Sequence, residues 1–467
     1  MVSANIRRPL MLLGMALVAP LAVAIVSREW TQALVFSGLV GVTFLIGKRE
    51  PRSTASTVPI APRDALVFAA IVYLVFSLVG ALAYLTHASF VDGFFESMSG
   101  FTTTGLSVLD PVSMPNSLLF FRSYSQWIGG AGIIVLSIVF LPGVRATLLP
   151  LYSAEFREEN LLGNLLSTSR LVFSIYGSLT LLGFGIFVLS GMGFFDALLH
   201  VLSTLSTGGF SPYPDSIGRY GSVGIEISVC LFMIAGAVAF PLYYRAAREG
   251  PKKFFTDSQL RALALAIGAG FMLMLLYDRS RGEEGSIVTH FFHSVSAVTT
   301  TGFNVTDAAG WTQGQRLVAI ILMFIGGSSG STAGGVKLIR ALVLARVAQW
   351  YLHRALLPVE AQLPVRQGGR ILRDDEIRSV VGLTTVFLCF TAGSTFLLTF
   401  TGCEPIDALF ESTSALGTVG LSTGLTSSDL ASWAKLLLAM DMWAGRLEIL
   451  PLLVLLYPSP RRLERSS

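Results

Sequence analysis

Hydrophobic residues run along this chain in long blocks broken by short polar connections. Blocks long enough for a membrane helix, roughly 20 apolar residues, fall at 9–27, 30–47, 64–86, 116–141, 168–191, 221–244, 259–277, 313–350, 379–401 and 429–457. The block 313–350 is too long for one uninterrupted span. Four shorter apolar stretches lie near 91–102, 194–206, 287–299 and 405–417. They are too short to cross a bilayer and suit re-entrant helices.

Composition agrees with this pattern. Of 467 residues, 52% are hydrophobic and 13% charged, with a mean hydropathy of +0.67. A soluble domain carries about 25% charged residues, so the expected class is an all-α polytopic membrane protein. Disorder needs the opposite composition. Cys230, Cys389 and Cys403 show no metal or redox spacing, and the first two are expected as small core residues. The net charge of +4 does not imply nucleic acid, because membrane proteins retain Lys and Arg in cytoplasmic loops. With both termini cytoplasmic, inside segments hold 24 Lys and Arg residues and outside segments 7. Arg7 and Arg8 before an apolar run resemble a signal peptide. The second apolar block follows so closely that an uncleaved two-helix hairpin is expected.

The short stretches coincide with an internal repeat. Its copies read Ser99-Gly-Phe-Thr-Thr-Thr-Gly105-Leu106, Ser203-Thr-Leu-Ser-Thr-Gly-Gly209-Phe210, Ser296-Ala-Val-Thr-Thr-Thr-Gly302-Phe303 and Ser414-Ala-Leu-Gly-Thr-Val-Gly420-Leu421. Ser is constant in the first column, Thr in the fifth (Thr103, Thr207, Thr300, Thr418) and Gly in the seventh (Gly105, Gly209, Gly302, Gly420). Upstream, Asp92, Asp196 and Asp407 recur where a short helix would begin, with Thr289 in the third copy, and are expected to cap its free N–H groups. Each unit is a helix, a short pore helix, an extended strand and a helix, four times in parallel. The expected organisation is a hairpin at 1–50 and repeats at 63–145, 165–248, 257–354 and 375–460.

Four parallel copies can close around one axis. Glycine reaches positive φ cheaply, so such strands can turn successive carbonyls toward that axis, where they replace the hydration shell of a monovalent cation. Non-helical backbone at membrane depth is tolerated where it lines a polar cavity or is buried in protein. Expected coordination is around Thr103-Thr104, Thr207-Gly208, Thr300-Thr301 and Thr418-Val419, with Thr hydroxyls as further ligands. A monovalent cation is the only metal expected, and no cofactor. A carboxylate ring suited to a divalent cation is absent from the strands.

The block 313–350 contains Gly326-Gly327-Ser328-Ser329-Gly330-Ser331-Thr332-Ala333-Gly334-Gly335. Glycine costs about 1 kcal/mol against Ala in a helix. Two half-helices, 313–325 and 336–350, are expected around an intramembrane loop. A phosphate-binding reading fails because no Gly-Lys-Ser/Thr follows. Lys337 and Arg446 are charges at membrane depth, which marks function or a buried pair. Arg446 is expected to hold the loop in one of two arrangements, with Asp441 and Glu448 near it. His200 and His293 share a register with Glu96 and Glu411, expected as polar packing behind the strands. Residues 354–378 and 245–261, with Arg145 to Arg170, offer a cytoplasmic docking surface.

At these motifs the chain resembles the TrkH/KtrB/HKT superfamily of potassium transporters. The resemblance extends to 126–133 (Gln-Trp-Ile-Gly-Gly-Ala-Gly-Ile), 326–340 and Gly445-Arg446-Leu447-Glu448. It implies potassium uptake across the cytoplasmic (inner) membrane through a pseudo-fourfold pore, not an enzyme. It makes the loop the gate below the filter. It implies a homodimer and a cytoplasmic TrkA/KtrA-like nucleotide-binding regulatory protein. Glycine at all four filter positions implies potassium over sodium, since Ser at the first goes with sodium preference in related plant proteins. The N-terminal hairpin resembles TrkH and the fourth filter segment KtrB. The rival reading is a proton- or sodium-coupled secondary transporter. Such folds often use inverted repeats, and the repeats here are parallel.

Overall fold

The computed structural model describes residues 6–48, 62–139, 165–282, 286–358, 364–367 and 370–456. Arg49, Arg52, Arg145, Arg157, Glu360, Arg461, Arg462 and Arg465, used above for orientation or docking, lie outside the described residues.

Helices α1 (Arg7–Val26) and α2 (Trp30–Lys48) form the N-terminal hairpin, which leans on the first repeat. The first repeat contains α3 (Pro62–Ala81), the short α4 (Phe90–Phe101) and α5 (Asn116–Val139). The second contains α6 (Leu165–Leu189), the short α7 (Phe194–Leu205), α8 (Val223–Ala237) and α9 (Phe240–Glu249), followed by α10 (Lys252–Thr256). The third contains α11 (Ser258–Ser280), the short α12 (Ile287–Val298), α13 (Gln313–Ile325) and α14 (Leu338–Ala355). The fourth contains α15 (Asp374–Leu398), the short α16 (Pro405–Leu416), α17 (Ser432–Arg446) and α18 (Leu450–Leu456). Between the last two repeats, within the polar segment 354–378, β1 (Arg366–Gln367) pairs antiparallel with β2 (Arg370–Ile371). Val365 and Leu372 beside this hairpin pack on Ile339, Val343 and Val380.

Each short helix is gripped by two repeats. It packs on its own outer helix and on the inner helix of the preceding repeat: α7 on α5, α12 on α8, α16 on α13 and α4 on α17. The last contact joins the fourth repeat to the first, so the units close into a ring in chain order. The hairpin and the outer helices expose large apolar side chains such as Leu34, Leu181, Leu265 and Phe396. Exposed apolar surface on this scale marks an interaction surface or a lipid boundary. Six described helices are long and apolar enough to cross a membrane, or seven if the bent pair α8–α9 counts as one. The chain is a multi-pass, all-α membrane protein.

Two blocks expected as single spans are broken. The block 221–244 bends by 92° between α8 and α9, and the block 429–457 breaks at 447–449, where Glu448 and Ile449 have φ of 57° and 65°. The cause is local. Pro241 and Pro451 occupy the second position of the following helices. Proline has no N–H to give the preceding turn and clashes with its carbonyl, yet fits the first turn of a new helix. The break in 313–350 falls as expected, with the loop running from Gly326 to Lys337. A further correction concerns Cys389, which is exposed on α15, whereas Cys230 is buried.

Candidate functional site

The four strands share one backbone conformation. Thr103, Thr207, Thr300 and Thr418 have φ of 53°, 52°, 53° and 51°, and Gly105, Gly209, Gly302 and Gly420 have 93°, 74°, 84° and 95°. Positive φ is an outlier for a β-branched residue. It persists only where surrounding structure dictates it, commonly at functional sites. The preceding helix does so identically in each copy: the residue after each Thr donates its N–H back to the column-one Ser carbonyl, at 2.9, 2.8, 3.0 and 2.8 Å. The uniform serine has a second use in two copies, where Ser99 Oγ and Ser414 Oγ accept the Gly105 and Gly420 N–H groups.

The glycines close the ring. A Cβ on Gly105 would lie 2.1 Å from Gly208 O, one on Gly209 2.0 Å from Thr301 O, one on Gly302 1.9 Å from Val419 O, and one on Gly420 2.2 Å from Thr104 O. Each glycine thus presses on the next repeat's carbonyl, and the fourth returns to the first. The structure brings all twelve sequence-predicted strand residues together. It also adds Gln126, for which the sequence offered a motif but no role. Its Nε2 donates to Gly208 O at 2.6 Å and its Oε1 accepts the Phe210 N–H at 3.1 Å. Among the described residues, no hydrogen bond is made to the equivalent carbonyls of Thr104, Thr301 and Val419.

Behind the strands, one register position of each short helix reaches the segment 11 or more residues on. Glu96 accepts from Ser107 Oγ (2.9 Å) and from Arg122 Nε (2.7 Å). His200 Nε2 meets Ser211 Oγ at 3.2 Å, and His293 Nε2 accepts the Val305 N–H at 3.3 Å. Glu411 accepts from the Thr423 N–H (2.9 Å) and Thr426 Oγ1 (2.7 Å). These buried groups brace each strand from outside.

The upstream acids do not cap their helices as expected. Ser89 caps α4, and neither Asp196 nor Asp407 makes a capping bond. Asp92 instead binds Lys435 Nζ at 2.6 Å and Asp407 binds Arg316 Nη1 at 2.6 Å, each cation coming from the preceding repeat in the ring. Asp196 accepts from Tyr213 and Tyr220. A carboxylate in the first turn already suits the helix dipole, and here it gains more from a full charge across the boundary than from one local N–H.

Directly beneath the strands lies the Gly-rich loop. Gly326, Gly330, Gly335 and Lys337 have positive φ. Its two limbs cross at Gly326, where a Cβ would lie 2.2 Å from Gly334 O. Ser328 N–H donates to Ala237 O (3.1 Å), Ser329 N–H to Gln259 Oε1 (2.8 Å) and Leu338 N–H to Gly327 O (2.9 Å). The Phe240 N–H, freed by the break before α9, donates to Gly330 O at 3.0 Å. Upward, Thr332 Oγ1 donates to Gly236 O, and Gly335 N–H donates to Gly417 O at 3.0 Å. Arg446 donates to Thr332 O (2.8 Å) and Gly129 O (3.1 Å), and Lys337 Nζ to Ala333 O. Glu448 pairs with Arg340 after the loop, not with Arg446, and Asp441 accepts from Ser394. Thus Lys337 and Arg446 both meet the loop, and Glu448 reaches only its exit. Among the described residues no cluster of three or more His, Cys, Asp or Glu is placed to hold a metal.

Residues 35–465 match the sequence model of the TrkH family, described as a cation transport protein. The chain is 31% identical to the Trk system potassium uptake protein TrkG of Escherichia coli, covering 95% of each chain. It is 30% identical to the Trk system potassium uptake protein TrkH of Halomonas elongata, covering 96% of each. The crystal structure of the potassium transporter TrkH from Vibrio parahaemolyticus superposes with a TM-score of 0.84 at 30% identity, covering 98% of both chains.

Proposed function

This chain belongs to the TrkH family of cation transport proteins, a family of transporters rather than enzymes, and on that premise we propose that it carries potassium into the cell across the cytoplasmic membrane. The filter comprises the strands at 103–105, 207–209, 300–302 and 418–420. The observation that carries this reading is the closed ring in which each filter glycine abuts the next repeat's carbonyl. Positive φ at the Thr and at the Gly two residues on, with none between, turns successive peptide planes the same way. Backbone oxygens arranged so can replace the water shell of a monovalent ion. The ion is the substrate, and the chain itself needs no cofactor.

The loop 326–335 is the gate. It lies under the filter, and two cationic side chains, Lys337 and Arg446, bind its carbonyls. Their charge opposes a cation leaving the filter from below. A loop bound mostly through backbone bonds to separate helices is released when those helices move. A cytoplasmic nucleotide-binding subunit of the TrkA or KtrA kind supplies that movement, as befits relatives named for the Trk system. The chain acts as a homodimer with both termini cytoplasmic, an orientation supported by the excess of Lys and Arg in the inside segments. Membrane lipids cover the apolar outer helices.

The test is flux through the purified chain in liposomes. Potassium or rubidium uptake driven by the ion gradient alone, with sodium competing weakly, is the expected result. Uptake that requires an imposed proton or sodium gradient overturns it in favour of a coupled transporter.

A further inference from the structure

The four filter threonines occupy equivalent places, but their hydroxyls are treated differently. All four are buried. Thr103 Oγ1 and Thr418 Oγ1 have no hydrogen-bond partner. Thr207 Oγ1 donates to Ser206 O at 2.7 Å. Thr300 Oγ1 accepts the Gly334 N–H from the Gly-rich loop, also at 2.7 Å. The same stretch of loop touches the fourth repeat, since a Cβ on Gly334 would lie 2.2 Å from Thr418 Oγ1. An unpaired buried hydroxyl forgoes the hydrogen bonds it makes in water and is unfavourable. Two of them at one end of an ion path are accounted for if a cation is their partner.

With the filter hydroxyls as cation ligands, as the transport reading has them, we propose that the Gly-rich loop competes with the cation for Thr300. This rests on the transport reading above and adds a coupling to it. The Gly334 amide directs the positive end of its dipole at the oxygen a cation needs, so the site is weakened while the loop is seated. Withdrawing the loop frees that oxygen and removes the repulsion. Coupling of this kind is reciprocal: if the loop weakens cation binding, the cation weakens loop seating. The permeant ion is then itself an effector of the loop.

The experiment reads the loop directly. In the full chain in nanodiscs, Cys230, Cys389 and Cys403 are replaced by Ser, and Ser331→Cys reports on the loop, where Ser331 is buried. Modification by a water-soluble maleimide is timed in potassium and in N-methyl-D-glucamine at equal ionic strength. Potassium is expected to speed labelling several-fold. Thr300→Val should abolish this dependence and label fast in both salts, because Gly334 loses its acceptor. Thr300→Ser, which restores the oxygen, should restore the dependence. Thr103→Val removes a hydroxyl with no bond to the loop, so it should shift the potassium effect to higher concentration while labelling stays slow without potassium. Gly334→Ala, whose methyl would lie 2.1 Å from Gly417 O, should label fast without potassium. The proposal is overturned if labelling of the parent ignores potassium, if Thr300→Val keeps the parent's acceleration, or if Gly334→Ala labels as slowly as the parent. Potassium-dependent labelling in a chain that passes no ions in liposomes would sink the transport reading and leave the coupling standing.

Discussion

Lys435, on the last inner helix, places its Nζ 2.6 Å from Asp92 Oδ1 on the first short helix, 343 residues away in sequence. The lysine is almost buried and also donates to Ser428 O at 2.7 Å. This ion pair sits at the seam where the fourth repeat meets the first. Removing one partner of a largely buried pair strands the other charge and costs on the order of 3 kcal/mol. Lys435→Met is therefore expected to lower the thermal unfolding midpoint in detergent by several degrees. Adding Asp92→Asn should recover part of that loss. A single variant as stable as the parent would show that the seam does not depend on this pair.

The filter glycine of the first repeat leads to a selectivity prediction. Gly105 has φ of 93°, and its missing Cβ would lie 2.1 Å from Gly208 O. Gly105→Ser forces the strand to shift against the neighbouring carbonyl and strains the backbone by about 1–3 kcal/mol. Discrimination of potassium against sodium is expected to fall about tenfold, a change of ~1.4 kcal/mol, in a rubidium-uptake competition assay. Unchanged discrimination would argue against the filter assignment.

Arg446 ties the loop, through Thr332 O, to α5 of the first repeat, through Gly129 O. Hydrogen bonds from a charged group contribute about 1.5–3 kcal/mol each. Arg446→Gln should loosen the loop and raise ion leak in liposomes several-fold in the absence of any regulatory subunit. Tight closure in this variant would assign Arg446 a static structural role.

Glu29, in the turn of the N-terminal hairpin, accepts the N–H groups of Asn116 (2.7 Å) and Ser117 (3.0 Å) at the start of α5. It is a helix cap supplied from 87 residues away. Glu29→Ala should cost about 1–2 kcal/mol and destabilise hairpin docking, seen as a lower unfolding midpoint with cation selectivity intact. A selectivity change would mean that the hairpin influences the filter.

The repeat was legible because its signal is local. Column-one Ser, the fifth-column Thr and the seventh-column Gly each serve a hydrogen bond or a dihedral within a single strand-and-helix unit, so their spacing survives in the chain. The helix breaks at Val238 and at Glu448 were equally local, since Pro241 and Pro451 announce them, but continuous hydropathy obscured them. The fate of Asp92 and Asp407 was not legible. A carboxylate in a first turn predicts a cap, and only the arrival of Lys435 and Arg316 from other repeats diverts it. Gln126 belongs with these: no feature of its own helix points to Gly208.

By itself the amino-acid order determined a membrane-embedded, four-unit helical chain with a glycine-broken inner helix, because burial, backbone conformation and turn chemistry are properties of short segments. Tertiary structure alone decided which carbonyl each filter glycine meets, which cation each acid finds, and that the loop reaches Thr300. Those contacts join residues from 34 to 343 positions apart, and they come together only when packing of whole helices closes the ring.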